Sequence, residues 1–290
     1  MMNPPEFLRW SVRHGLAVLL VAACANAQGP ATSAKKHAAT KVTPVVANNG
    51  PALEPKALEI LKAMSARLAA AHSMTFTADV SYESPTRQGP PLVFATQSNV
   101  TMVRPNKLRV ITPGDGPASE FYYDGKIMMA YAPTENLVAI ADAPPTIDAT
   151  LQAAFNVASI YYPFTDVIVT DPYKDLSDGL TLAYYVGQSH VIGGVTTDIV
   201  AYITNGVFIQ AWIGADDKLP RILRAIYMDD KLQQRHILAM SNWKLDPEVA
   251  PDVFGTPAAA NAKHIKFGNP SPPLPAAVTK AKIQSKPKQQ

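Results

Sequence analysis

Residues 54–82, EPKALEILKAMSARLAAAHSMTFTADVSY, contain a change of period that decides the fold class. Ala57, Leu58, Leu61, Met64, Leu68 and Ala71 recur at helical spacing, with Glu54, Lys56, Glu59, Lys62 and Arg67 mainly on the other side of the wheel. This pattern predicts an amphipathic helix from about Glu54 to Ala71 with one apolar stripe to bury. From Met74 the period becomes two. Met74, Phe76, Ala78, Val80 and Tyr82 alternate with Thr75, Thr77, Asp79 and Ser81, as a half-buried strand requires.

Working outward, strands are predicted at Leu92–Val103, Lys107–Thr112, Phe121–Tyr123, Lys126–Tyr131 and Leu137–Ile140. Asp124-Gly125 between apolar runs signals a hairpin with a type I′ turn. After Pro144-Pro145, residues Thr146 to Ser159 read as a second helix carrying Ile147, Leu151, Ala154, Phe155 and Ala158 on one side, and Asp171–Ser177 as a short helical turn. Strands resume at Leu180–Val186, Val195–Thr204, Val207–Ile213, Arg221–Met228 and His236–Trp243, with turns at Gly193-Gly194 and Asn205-Gly206. Strands do not alternate with crossover helices, so a doubly wound sheet is not expected. The pattern predicts a mainly β (α+β) fold of about ten antiparallel strands, a curved half-open barrel covered by one or two helices.

The amino terminus supplies an address. Arg9, Arg13 and His14 precede the apolar run Leu16 to Ala23, followed by Cys24 and then Ala25-Asn26-Ala27. A basic region, an apolar stretch too short to span a bilayer and an Ala-x-Ala site together read as a secretory signal over residues 1–27. Val21-Ala22-Ala23 before Cys24 also fits a lipobox. The mature protein is expected in the periplasm, either soluble after cleavage behind Ala27 or anchored to a membrane through acylated Cys24. With a single cysteine in the chain, no intrachain disulfide can form.

Residues 28–50 and 268–290 are rich in Ala, Pro, Lys and Thr or Ser without apolar period, and are expected to be a disordered linker and a disordered basic tail. Residues 51–267 remain as the folded segment. That segment holds 17 basic and 22 acidic residues against 9 and 1 outside it, so the overall charge of +3 conceals an acidic domain. A nucleic-acid partner is therefore not expected.

The motifs Arg104-Pro-Asn-Lys-Leu-Arg109, Tyr122-Tyr-Asp-Gly-Lys126, Gln210-Ala-Trp-Ile213, Leu219-Pro-Arg221 and Trp243, in this order after an export signal and an amphipathic helix, resemble a family of predicted periplasmic proteins, domain of unknown function 2092. The resemblance runs from about Ala57 to Ile265. It implies a fold similar to the lipoprotein carriers and receptors LolA and LolB, in which helices lid an apolar cavity, and it brings no established activity. Thr197-Asp198-Ile199 departs from the Cys-Asp-His expected at that place, so chemistry resting on that group is missing here.

Catalytic signals are weak throughout. Beyond the signal, histidines occur at His37, His72, His190, His236 and His264 with no metal-ligand spacing, and neither a phosphate loop nor a Gly-x-Ser-x-Gly elbow is present. The reading is a non-enzymatic protein without metal or cofactor. Phe76, Val80, Met102, Leu108, Phe121, Tyr123, Met129, Tyr131 and Trp212 are the residues expected to line the inner face of the sheet, with Arg104 and Arg109 at the rim beside a lid. Two expectations follow: an envelope protein binding a hydrophobic ligand (a lipid or a lipoprotein acyl chain, with the envelope membrane surface as a further partner), or a structural or partner-binding module whose interior those side chains fill.

Overall fold

The computed structural model describes residues 53–114 and 117–268. The expected signal, Cys24, the linker over 28–50 and all but the first residue of the tail lie outside them. In chain order the elements are α1 (Pro55–Ala70), β1 (Ser73–Ser84), β2 (Leu92–Val103), β3 (Lys107–Thr112), β4 (Ser119–Tyr123), β5 (Ile127–Ala132), β6 (Leu137–Asp142), α2 (Ile147–Ala158), α3 (Thr165–Ile168) and α4 (Pro172–Ser177). They continue as β7 (Leu180–Ser189), β8 (Thr197–Thr204), β9 (Val207–Gly214), β10 (Pro220–Tyr227), β11 (Arg235–Leu245) and β12 (Lys263–Ile265). The strands are hydrogen-bonded in the order β12-β6-β5-β4-β3-β2-β1-β11-β10-β9-β8-β7, an open, mainly antiparallel sheet. The mainly β class with few helices is as expected. The described residues hold twelve strands against about ten expected: the eleven segments named from the sequence, and β12, which adds a short parallel strand to β6.

The stripe of α1 is buried at Ala57, Leu61, Met64, Ser65 and Leu68. α2 begins where Thr146 accepts a hydrogen bond from the Ala149 N–H at 3.3 Å, and stops where Ser159 turns left-handed (φ 56°) and its N–H reaches the Ala154 and Phe155 carbonyls.

The chain divides into two units. One holds the described residues up to Met64, Tyr82–Phe94 and Tyr173–Ile237. Its β8–β9 hairpin closes through Asn205 (φ 49°) and Gly206 (φ 77°), with Thr204 paired to Val207, the two-residue turn that Asn-Gly favours. Its β7 edge is met by Leu53 and Glu54: the Glu54 N–H donates to the Ala183 carbonyl at 2.7 Å, and the Glu54 carboxylate accepts from the Tyr185 N–H at 2.7 Å. Also in this unit, His236 packs against the rings of Tyr227 (5.3 Å) and Tyr82 (5.9 Å).

Burial lowers the His236 pKa from its ordinary 6.5, opposed by the Glu83 carboxylate, which raises it. A histidine depressed in the fold is held neutral there, so its contribution to stability is present above about pH 6.5 and is lost as the pH falls through the folded value. Thermal unfolding between about pH 7.5 and 5 should show a fall in Tm that His236→Gln makes shallower.

The other unit comprises Ser65–Ser81, Ala95–Pro172 and the chain from Leu238 onward. Here β2 to β6 form a meander. The β4–β5 turn corrects the expected type I′ geometry: only Gly125 has positive φ (95°), the Asp124 N–H donates to the Ile127 carbonyl, and the Asp124 carboxylate accepts from the Lys126 and Ile127 N–H groups. The central pair is thus Gly125-Lys126, one residue later than Asp124-Gly125. At the far end of the unit, the Asp246 N–H donates to the Ser73 carbonyl and the Asp246 carboxylate accepts from the His72 N–H at 2.7 Å, tying the end of β11 to the start of β1.

Candidate functional site

Pairing within the Ser65–Ser81/Ala95–Pro172 unit sorts its side chains onto two faces. Met102 lies opposite Leu108, Val100 opposite Val110, Leu108 opposite Tyr123, Val110 opposite Phe121, and Tyr123 opposite Met128. All seven are buried. On β1, Met74, Phe76, Ala78 and Val80 alternate as the buried set.

This apolar face is covered by the segment between α2 and α3, Ile160-Tyr-Tyr-Pro-Phe164. Tyr162 meets Phe121 edge-on at 6.0 Å and stacks on Phe164 at 5.3 Å. Phe164 in turn meets Phe76 edge-on at 5.6 Å, and Phe76 stacks on Trp243 at 4.4 Å. The aromatic chain therefore runs from β4 through the covering segment to β1 and β11. Such pairs add about 0.5–1.5 kcal/mol each beyond burial. Burial pushes the Tyr162 phenol far above its usual range, so it stays protonated.

Six of the nine side chains expected on the inner face, Phe76, Val80, Met102, Leu108, Phe121 and Tyr123, belong to these buried sets. Met129 and Tyr131 do not. Odd-numbered positions of β4 pair with even-numbered positions of β5, so Met128 shares the face of Phe121 and Tyr123, while Met129 sits opposite Tyr122 and Tyr131 opposite Val138. Met129 and Tyr131 form a second cluster with Tyr122, Val138, Ala259 and Ala262. Trp212 is in the other unit, half-buried on β9 between Ile199 and Ile222 and on the face away from the fully buried Ala211 and Ile213.

The two arginines separate as well. Arg104, in the β2–β3 turn, donates through Nε to the Ala71 carbonyl at 3.2 Å, through Nη2 to the Val169 carbonyl at 2.9 Å and through its backbone N–H to the His72 carbonyl at 2.8 Å. Next to it, the Pro105 carbonyl accepts from the Ile147 N–H at 2.9 Å. One turn thus holds the chain just past α1, the start of α2 and the end of α3. Burial lowers the Arg104 pKa and Asp148 raises it; the Asp148 carboxylate itself accepts from the Thr170 N–H.

Arg109 is not at this rim. It pairs across the sheet with Tyr122, on the second face, where the Tyr122 hydroxyl donates to Glu120 at 2.6 Å. Burial, and next Glu120, raise the Tyr122 pKa, and the nearby Arg109 and Thr256 side chains lower it.

Tyr162, Phe164 and Trp243 carry the cover's contacts and were not among the expected lining residues. The run of bulky residues with a proline at 160–164, outside any periodic segment, is the signal that marks them. Tyr123 also holds the cover. Its ring is 0% exposed and its hydroxyl donates to the Pro144 carbonyl, just ahead of α2. That carbonyl also accepts from Thr150 at 3.1 Å and keeps this donor in Tyr123→Phe, so the loss should be near the low end for a buried bond, about 1 kcal/mol in urea unfolding.

Among the described residues, no group of three or more His, Cys, Asp or Glu side chains stands together to hold a metal ion.

The family described as "Predicted periplasmic protein (DUF2092)" matches residues 57–268. The chain belongs to this family. That is the family whose motifs Arg104–Arg109 and Tyr122–Lys126 it carries. No curated protein matches its sequence. Solved structures similar to this DUF2092 protein include LprF from Mycobacterium bovis (17% identity, 70% of this chain and 99% of that one, TM-score 0.44). They also include the MucA/MucB complex of Pseudomonas aeruginosa (15%, 72% and 64%, 0.40) and a LolA superfamily protein from Nitrosomonas europaea (8%, 69% and 97%, 0.33).

Proposed function

We propose that this protein is a non-enzymatic component of the cell envelope that binds an apolar ligand, a lipid or the acyl chain of a lipoprotein, on the face carrying Met102, Leu108, Phe121 and Tyr123. The observation that carries this reading is the nature of the cover. An irregular aromatic segment lies on that face, and Arg104 holds its surroundings through hydrogen bonds to main-chain carbonyls. A guest displaces Tyr162 and Phe164 and replaces their contacts with its own. Transfer of its acyl surface from water drives binding at about 25 cal/mol per Å².

Native mass spectrometry of the protein extracted from the envelope, with displacement of a fluorescent fatty-acid probe, is the test. Co-purified or exchangeable lipid is expected, and a protein that never takes up either ends the proposal. The finer localisation has its own measurement: a mature chain beginning at Gln28 means a soluble periplasmic form, and an acylated Cys24 a membrane-anchored one.

A second reading draws on the unit holding Tyr173–Ile237. Leu92 (57% exposed), Val93 (66%), Phe94, Leu232 (60%) and Ile237 present apolar side chains to solvent there. Exposed apolar side chains of this kind suit a partner-binding module. Crosslinking in cells that captures an envelope protein, together with no lipid uptake, favours that reading.

A further inference from the structure

We infer that the ends of the β1–β2 and β10–β11 hairpins form a surface that docks on a phospholipid membrane, independently of the apolar face in the other unit. Every residue of this surface belongs to the unit holding Tyr82–Phe94 and Tyr173–Ile237. Leu92 (57% exposed), Val93 (66%) and Phe94 (45%) open β2, while Met228 (41%) and Leu232 (60%) lie in the connection from β10 to β11. The two ends are joined: the Gln234 side chain donates to the Glu83 carbonyl at 2.9 Å, and the Arg235 N–H donates to the Glu83 carboxylate at 3.1 Å.

Successive side chains of a strand point to opposite sides, and one side is ordinarily buried. Leu92, Val93 and Phe94 are consecutive and all exposed, so both sides of β2 are apolar and open to water at this end. The turns that hold them are fixed by their own hydrogen bonds. The Thr86 hydroxyl reaches the Gly89 and Pro90 carbonyls at 3.0 and 3.1 Å, and the Asp230 carboxylate accepts from the Leu232 N–H at 3.2 Å. A protein face can cover one side of such a strand, whereas a fluid lipid interface surrounds both.

Charge points the same way. Residues 82–94 and 228–235 hold three basic and three acidic side chains, so this end lacks the excess of acids in the folded segment that a phosphate surface repels. Glu83 is taken up by Arg235 and Asp230 by the Leu232 N–H, which leaves exposed Arg87 and Lys231, against Asp229, to meet headgroup phosphates. The path of the chain agrees. Leu53 and Glu54 run parallel to β7 from its Leu180 end; Leu180 pairs with Thr204, and the Gly206 carbonyl of that turn accepts from the Met228 N–H at 3.1 Å. An acyl group on Cys24 would thus join the described chain at the end that carries Met228.

The exported chain carrying Cys24→Ala, which removes any acyl anchor, is mixed with vesicles of phosphatidylethanolamine and phosphatidylglycerol. Sedimentation is expected to show binding that Val93→Asp combined with Leu232→Asp weakens about 10-fold or more, since a charge resists entry into the interface. Both sites are exposed, so Tm should stay within about 2 °C of wild type. In Leu232→Trp, the added indole fluorescence is expected to shift to shorter wavelength on the vesicles and to be quenched by brominated acyl chains. If the double variant binds as well as wild type, the basic tail supplies the attraction and the docking assignment is overturned. It is overturned equally if wild type binds no vesicles or the indole stays unquenched, and crosslinking of this end to an envelope protein then assigns it to the partner-binding reading.

Discussion

Arg104→Ala is expected to lower the unfolding free energy by about 2–3 kcal/mol and to loosen the cover without abolishing the fold. Two hydrogen bonds from a charged donor are lost, each worth about 1.5–3 kcal/mol when fully buried and less at a half-buried site that water can reach. Ala71 and Val169 are both buried, so their carbonyls are left without this donor. The backbone bond from Arg104 to His72 does not depend on the side chain and keeps the turn in place. Lysine is a point donor that cannot span two carbonyls as a guanidinium fork does, so Arg104→Lys should recover about half of the loss. Urea unfolding gives the magnitude. Hydrogen exchange gives the location: faster exchange confined to the end of α1 and to residues 165–170 is expected, and uniform acceleration across the sheet would mean that Arg104 serves the whole core rather than the cover.

Phe164→Ala should have the largest effect on stability, about 3–5 kcal/mol, because it removes a fully buried ring and leaves a cavity bordered by Phe76 and Tyr162. The proposed function adds a second expectation of opposite sign. If the ring stands where a guest lies, the variant takes up the fluorescent fatty-acid probe more readily than wild type although it is less stable, and the probe restores part of the lost Tm by mass action. Loss of stability with no gain in uptake identifies Phe164 as permanent core and favours the partner-binding reading. The same pair of measurements on Met129→Ala is the control, since Met129 lies on the second face and its loss should destabilise without changing uptake.

Much of this architecture is legible in local pattern. The α1 stripe and the alternation of β1 need only a window of ten or so residues, because helical and extended backbones turn each side chain at a set angle. Thr146 and Ser159 bound α2 closely for a similar reason: caps satisfy groups within one turn. Short elements escape. α3 has four residues and β12 three, fewer than a period needs to show itself, and β12 is held by the Lys263 N–H bonding to the Asn136 carbonyl, far away in the chain.

The candidate site was legible in part. Phe121 and Tyr123 were readable as inner-face residues from alternation alone, whereas Met129 and Tyr131 required the β4–β5 register, in which odd positions meet even ones. Arg104 was readable as an arginine near a turn, but its acceptors are main-chain carbonyls 33 and 65 residues away, and a carbonyl has no sequence signature. Tyr162 and Phe164 carry no periodic signal, because they lie between periodic segments.

The order of amino acids by itself determined the family, the mainly β class, the buried stripe of α1 and the buried alternation of β1, since burial preference and backbone period are properties of neighbouring residues. Tertiary structure alone decided which buried side chains share a face, that an aromatic segment covers one of them and that Arg104 holds the cover. Those outcomes depend on strand register and on contacts between distant segments, where a shift of one position exchanges the two faces of a strand.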